Sequence, residues 1–306
     1  MDFSGLLNLQ GMMFAIMAIG AFLRKKELIR SEDKTVLTEL IINLLLPCSI
    51  VMAFCIEFSE EILKEGFIIL IISCILHLFC VMLSKVLFNK YSKDQKVILQ
   101  YGTICSNAGF LGNPIAEGVY GSIGLLYASI YLLPLRIINW SVGLSFYTES
   151  TDRKGLVKKV ITHPCIITVF IGLFIMIAQI QLPTVLSSTL SSLGSCSTPF
   201  TMLLIGVILA EGDIRTMITI TTIKFSILRL ILIPLGVFIG CKLCGVPDLV
   251  AGVSVLLAAM PAGTTTAILA VKYNRDAEFA TKCVVLTTIL SMIMIPIWCT
   301  FINAFY

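Results

Sequence analysis

Charge is what this chain has least of. Asp, Glu, Lys and Arg make up 13% of its 306 residues, about half the share found in ordinary soluble domains. Together with a hydrophobic content of 58%, that scarcity excludes a water-soluble fold and identifies an integral membrane protein. Histidine is scarcer still, at two residues, and there is no HExxH, GxSxG or P-loop pattern. No catalytic constellation can be assembled from what remains, so the chain is not read as an enzyme and no cofactor is expected. The formal charge of +4 is not a nucleic-acid signal here; what matters is where the basic residues fall. A cleavable signal peptide is not expected, because the first apolar run, Leu6 to Leu23, follows Asp2 rather than basic residues.

Cysteine is present, eleven times, but mostly singly within apolar runs, where it behaves as a small buried hydrophobe. Cys241 and Cys244 have CxxC spacing, yet no second pair or partnering His accompanies them. No metal site is expected.

A bilayer span needs roughly 20 apolar residues. Ten such runs are present, at 5–23, 36–56, 66–89, 97–120, 124–147, 160–178, 187–210, 216–240, 248–271 and 278–303. Seventeen of the 22 basic residues lie on alternate joints, after the first, third, fifth, seventh and ninth runs. Because basic loops stay in the cytoplasm, this pattern places both termini outside. The chain divides at "ESTDRKGLVKK" into 1–150 and 151–306, five spans each. Pro47, Pro114 and Pro134 have counterparts in Pro199, Pro261 and Pro296, at offsets of 152, 147 and 162. Since each half has an odd number of spans, the second half is inverted relative to the first. The expected fold is therefore an all-α membrane protein of ten transmembrane helices in two inverted five-helix repeats, the plan of secondary transporters.

Two spans are interrupted. The fourth carries "SNAGFLGNPIAEG", with Asn107, Gly109, Gly112, Asn113 and Pro114; the ninth carries "AAMPAGTTTAILA", with Pro261, Gly263, Thr264, Thr265 and Thr266. Proline lacks an N–H and clashes with the preceding turn. Unwound backbone at membrane depth is tolerated only where protein buries it or a watery cavity is lined by it. Paired interruptions in the two halves point to a binding site near the midplane, where the broken helices 4 and 9 would cross. The N-terminal ends of their second halves favour an anion.

These stretches, "SNAGFLGNPI" and the run from "AAMPAGTTT" through "SMIMIPIW", resemble the auxin efflux carrier family. The resemblance covers essentially the whole chain. It implies a scaffold of helices 1, 2, 6 and 7, a transport unit of helices 3–5 and 8–10, elevator-type motion and a homodimer. The joint between spans 5 and 6 is short, about ten residues, as in compact bacterial-type members that carry malate or malonate rather than auxin.

The remaining candidates are polar groups within spans. Arg136, two residues after Pro134, suits a substrate carboxylate through its planar fork, or it binds carbonyls freed by the proline. Asn139 lies on a similar face. Asn43, one turn before Pro47, is a candidate from the scaffold side. Lys224 and Arg229 point about 140° apart on one helix; the first snorkels and the second sits deeper. His77 reads as a packing histidine, Glu117 as a mouth residue. No Asp or Glu falls at mid-membrane, which weighs against a proton- or cation-coupled antiporter. A ligand-binding sensor is the other alternative. The partners expected are a small organic anion, membrane lipid and a second copy of the chain, with no nucleic acid.

Overall fold

The computed structural model describes residues 3–30, 32–57, 59–147, 161–210 and 217–305. The proposed division between the halves and the basic cluster Arg153 to Lys159 lie outside the described residues, as does Arg215. The described chain is nearly all helix: α1 (Phe3–Lys25), α2 (Asp33–Phe54), α3 (Glu60–Leu87), α4 (Lys93–Ile104), α5 (Ala108–Tyr147), α6 (Pro164–Ile177), α7 (Thr184–Leu209), α8 (Ile220–Leu243), α9 (Asp248–Ala258), α10 (Thr265–Lys272) and α11 (Ala277–Phe305). Among the described residues there is no strand. Six of the helices, α2, α3, α5, α7, α8 and α11, are long and apolar enough to cross a membrane. α6 and α9 are apolar but shorter, at 14 and 11 residues.

The helices wear their polarity inside out. α3 buries Ser73, His77 and Ser84 and exposes Phe67, Ile75, Phe79, Met82 and Val86. An amphipathic helix on a water-soluble protein shows the reverse; here the outer face meets hydrocarbon, and the polar atoms must be satisfied within. His77 Nδ1 donates to Ser73 O at 2.6 Å, Ser73 Oγ donates to Tyr131 O at 2.6 Å, and the His77 and Tyr131 rings meet edge to face. The imidazole is a packing group, as its isolation in the sequence indicates.

The prolines shape the spans in a repeated way. Wide, π-type turns occupy Ile41–Leu45, Ala108–Gly112 and Leu228–Leu232, and each ends two residues before a proline: Pro47, Pro114 and Pro234. Proline offers no N–H to the carbonyl four residues back and crowds it; widening the preceding turn relieves the crowding. The carbonyl left without a helical donor then needs another. For Pro234 that carbonyl is Leu230 O, and Trp298 Nε1 on α11 supplies the bond at 2.8 Å.

The chain forms two compact units. One comprises the described residues of Met1–Lys64, Asn113–Ser129 and Thr162–Glu211; the other, those of Glu65–Gly112, Ile130–Ile161 and Gly212–Tyr306. In the first, α1 lies along the second part of α7 with backbones touching: a side chain added at Gly20 would strike Leu203 O, and one at Gly206 would strike Met17 O. Membrane helices pack through such small residues because apolar side chains gain nothing over lipid. α7 is itself interrupted at Cys196, three residues before Pro199. Within α5 the helix is kinked at Gly121, whose φ of 69° and ψ of −159° only glycine adopts readily; the kink falls between the fourth and fifth runs read from the sequence. The second unit holds α4, α8, α9, α10, α11 and most of α3.

Candidate functional site

Two helices of the second unit stop within the interrupted spans, although the fourth does so at 105–107, ahead of Pro114, which lies inside α5 together with Gly109, Gly112 and Asn113 because the wide turn Ala108–Gly112 accommodates the proline. α4 ends at Ile104 and α9 at Ala258, and the chain resumes helical geometry at Ala108 and Thr265. The two gaps lie against each other as an antiparallel bridge between Ser106 and Ala262. Asn107 N donates to Pro261 O at 2.8 Å and Gly263 N donates to Cys105 O at 2.8 Å. Each gap thus satisfies the other's main chain, which is how unwound backbone survives in an apolar interior. A third main-chain group, Ala262 N, donates to Thr287 Oγ1 on α11 at 3.2 Å. Close approach sets the residue type at 263: a Cβ there would sit 2.8 Å from Cys105 Sγ. Gly112 is similarly confined by Leu257 and Met260.

Because the backbone bonds are met by backbone, the side chains at the crossing are free of that duty. Asn107 is buried and its Nδ2 has no partner; the Thr266 hydroxyl is buried and likewise unpartnered. Thr264 occupies the N-cap of α10 without spending its side chain on a capping bond, and Thr265 opens that helix half-buried. The N-terminus of α10, with its partial positive charge, therefore opens onto the crossing. Asn139, in the wide turn Asn139–Gly143, donates Nδ2 to Cys105 Sγ at 3.2 Å and leaves Oδ1 buried and unpartnered. Arg136 is half-buried, and its Nη2 lies 4.0 Å from where a Cβ would stand on Gly109. Tyr147 O–H, which stacks edge-on to Tyr101, donates to Thr266 O at 3.1 Å.

One group is out of keeping with its surroundings. Arg229, in the wide turn of α8, is 3% exposed and its Nε has no hydrogen-bond partner. It is the one Lys, Arg, Asp or Glu side chain buried among the described residues. One turn earlier on the same helix, Phe225 packs against Gly102 of α4. Lys224, 140° away on the same helix, is exposed, so the angular separation of the two is as their spacing requires.

The structure therefore brings together Asn107, Gly109, Gly112, Pro261, Gly263, Thr264, Thr265, Thr266, Arg136 and Asn139 in one unit. Asn43, Asn113 and Pro114 belong to the other. Asn43 is exposed in the wide turn before Pro47; Asn113 is buried with neither Oδ1 nor Nδ2 partnered. Glu117 is half-buried. Sequence reasoning missed Cys105, Thr287 and Tyr147. Cys105 reads as one more apolar cysteine; only its place one residue before the interruption hints otherwise. Among the described residues no three His, Cys, Asp or Glu side chains gather as a metal site, and all eleven cysteines are free.

Comparison with known proteins identifies the family. The sequence profile described as "Membrane transport protein" matches residues 12–299. A protein of Methanothermobacter thermautotrophicus named "Uncharacterized transporter" is 28% identical over 194 residues, 63% of each chain. The match thus spans under two thirds of that relative's length. "Uncharacterized transporter MJ1031" of Methanocaldococcus jannaschii is 24% identical over 295 residues, 92% of this chain and 94% of its own. With an apolar multi-pass chain and a profile match over nearly its full length, the protein belongs to the membrane transport protein family that includes the auxin efflux carriers.

Proposed function

We propose that the protein is a secondary carrier of small organic anions, carboxylates in particular. The observation that carries this reading is the chemistry of the crossing. Unpartnered polar side chains, Asn107 and Thr266, sit beside the N-terminus of α10, and among the described residues no Asp or Glu is buried. Orphaned buried polar groups are costly and rare in native proteins, and a bound carboxylate would satisfy these two. Amide N–H, hydroxyl and helix N-terminal groups suit a carboxylate. A cation or proton antiporter would need a buried carboxylate to hold its ion. A sensor that binds without transport would fit the same groups, but the transporter family favours a carrier.

In this reading the ten spans are two inverted repeats, 1–150 and 151–306, in the cell membrane with both termini outside. α1, α2, α6 and α7 are the static scaffold of a homodimer, and the unit holding the crossing carries substrate by elevator motion. The test is uptake of radiolabelled malate, malonate and a monocarboxylate into proteoliposomes under a clamped potential, with Asn107→Ala alongside. Saturable uptake whose half-saturation the substitution worsens supports the reading. Uptake indifferent to Asn107→Ala moves the site away from the first gap, and no carboxylate flux at all refutes the carrier.

A further inference from the structure

We propose that the protein binds one anionic phospholipid in a furrow of its second unit, with the headgroup phosphate at Lys224 and an acyl chain lying along α8. The site is independent of which solute is carried.

The furrow is built where α3 ends and α8 begins, and its volume is about 320 Å³, within the range of sites that hold small molecules. The buried Leu99, Phe225 and Leu228 line it from within, and the exposed Ile227 and Leu232 lie along its α8 side. Phe225 is fixed in place by Gly102 of α4, where an added Cβ would stand 2.9 Å from the ring. The hollow therefore belongs to the packed fold.

Polar side chains gather at one end. Of the lining residues, Thr221 and Tyr91 carry a hydroxyl and Lys224 an ammonium. Lys224 is exposed and makes no hydrogen bond or ion pair among the described residues. Tyrosine is a residue that membrane proteins collect at headgroup level. From Thr221 to Leu232 α8 rises about 16 Å, and one leaflet's share of the hydrocarbon core is about 15 Å. The furrow thus runs the depth of one acyl chain. At Leu232 it meets a larger hollow between α3 and α8, of about 650 Å³, whose side chains are hydrocarbon or thiol and where Gly236 and Gly240 face open space. That lining holds no cation, so the headgroup belongs at Lys224.

The two halves of the furrow select the ligand together. A dissolved phosphate has no use for apolar walls, and an uncharged lipid has none for the ammonium. An anionic phospholipid uses both, with the lysine stem lying along its chain. The surrounding charge has the same sign: Lys85, Lys90 and Lys93 stand at this end, while Asp94 is already held by Arg275 at 3.0 Å. In the orientation proposed above this end is cytoplasmic, where anionic headgroups attract basic segments.

The experiment uses the full chain, delipidated in dodecyl maltoside and titrated with dioleoyl phosphatidylglycerol, dioleoyl phosphatidylcholine or glycerol phosphate. Native mass spectrometry counts the lipid retained, and thermal unfolding is followed alongside. The expected result is one phosphatidylglycerol per chain, held about fivefold or more tighter than phosphatidylcholine, with a raised midpoint and no shift from glycerol phosphate. Lys224→Gln should weaken phosphatidylglycerol by about fivefold and erase the preference. Lys85→Gln, at the same end but outside the furrow, should leave it. Ile227→Trp, at an exposed position, should fill the furrow and weaken both lipids alike. Without lipid all three variants should unfold at the wild-type midpoint. Equal retention of the two lipids by wild type, or undiminished phosphatidylglycerol binding in Lys224→Gln, would overturn the proposal. A shift with glycerol phosphate matching that of phosphatidylglycerol would make this a site for dissolved anions and overturn it too. So would a dimer that Ile227→Trp dissociates, since a second copy would then occupy the furrow. None of these outcomes decides the carrier reading, which rests on carboxylate uptake.

Discussion

Replacing Trp298 by Phe tests the idea that prolines in these spans create debts settled by specific side chains. Trp298 is 5% exposed, and its Nε1 lies 2.8 Å from the Leu230 carbonyl that Pro234 leaves without a helical donor. Phe keeps the aromatic body against Phe301 and removes only the donor and one ring's worth of volume. A buried acceptor stripped of its partner costs about 1–3 kcal/mol, whereas hydrogen bonds between membrane helices measure about 0.6 kcal/mol on average with a ceiling near 1.7. With no N–H on Pro234 to serve this carbonyl, the upper part of the membrane range applies. Adding roughly 1 kcal/mol for the smaller ring, Trp298→Phe should destabilise by about 2–3 kcal/mol. The discriminating measurement is a double-mutant cycle with Pro234→Ala, which returns an N–H four residues from Leu230. In that background the loss of the indole donor should cost about 1 kcal/mol less. Equilibrium unfolding in mixed micelles, followed by circular dichroism, gives all four free energies. If Trp298→Phe costs the same in both backgrounds within about 0.5 kcal/mol, the indole bond is not compensating for the proline and the reasoning fails.

Other substitutions probe other parts of the fold. Gly121→Ala forces a Cβ onto a backbone with φ of 69° and ψ of −159° and should lower stability by about 1–3 kcal/mol, read by the same unfolding assay. Gly206→Leu should separate α1 from α7, since the new side chain enters the Met17 backbone; a loss of at least about 2 kcal/mol is expected. Gly263→Ala should lower transport at least tenfold by driving a methyl into Cys105 Sγ, and Cys105→Ala in the same chain should recover part of the flux. Asp94→Asn should do little: its 3.0 Å pair with Arg275 is partly exposed, such pairs contribute about 0–1 kcal/mol, and the effect should vanish in high salt.

Much of this was legible because lipid simplifies the code. Hydropathy and Pro261 located the interruption at 259–264, whereas in the fourth span the break expected at Pro114 falls instead at 105–107, because a wide turn lets the helix continue through the proline. The ninth run, read as an interrupted span over 248–271, is two helices of 11 and 8 residues, since a helix that stops at the crossing need not span anything. The break of α7 at Cys196 left no signature beyond Pro199. Thr287 and Trp298 were invisible for a different reason: each satisfies a main-chain atom far away in sequence, and only folding reveals which atoms lack a partner. Arg229 stood out as a charge in a span, yet its burial without an acid is a fact of three dimensions.

The division of labour at the crossing yields a prediction that separates a binding residue from a structural one. The two gaps are joined through main-chain atoms, Asn107 N to Pro261 O and Gly263 N to Cys105 O, and main-chain bonds survive any side-chain change. A polar side chain that held the fold would show partners, and its removal would cost stability. Asn107 Nδ2 shows none while buried; an unpartnered buried amide is itself a penalty of about 1–3 kcal/mol. Asn107→Ala should therefore leave the unfolding free energy unchanged or raise it, while half-saturation for the carried anion worsens by about tenfold or more. Sites selected for binding commonly show this opposition between stability and activity. The control is Thr287→Val, which removes the acceptor of Ala262 N: it should lose stability by about 1–2 kcal/mol, and its transport should fall no further than that loss of folded protein explains. If instead Asn107→Ala unfolds more easily and Thr287→Val does not, the amide is holding the crossing together and the ligand must be sought elsewhere.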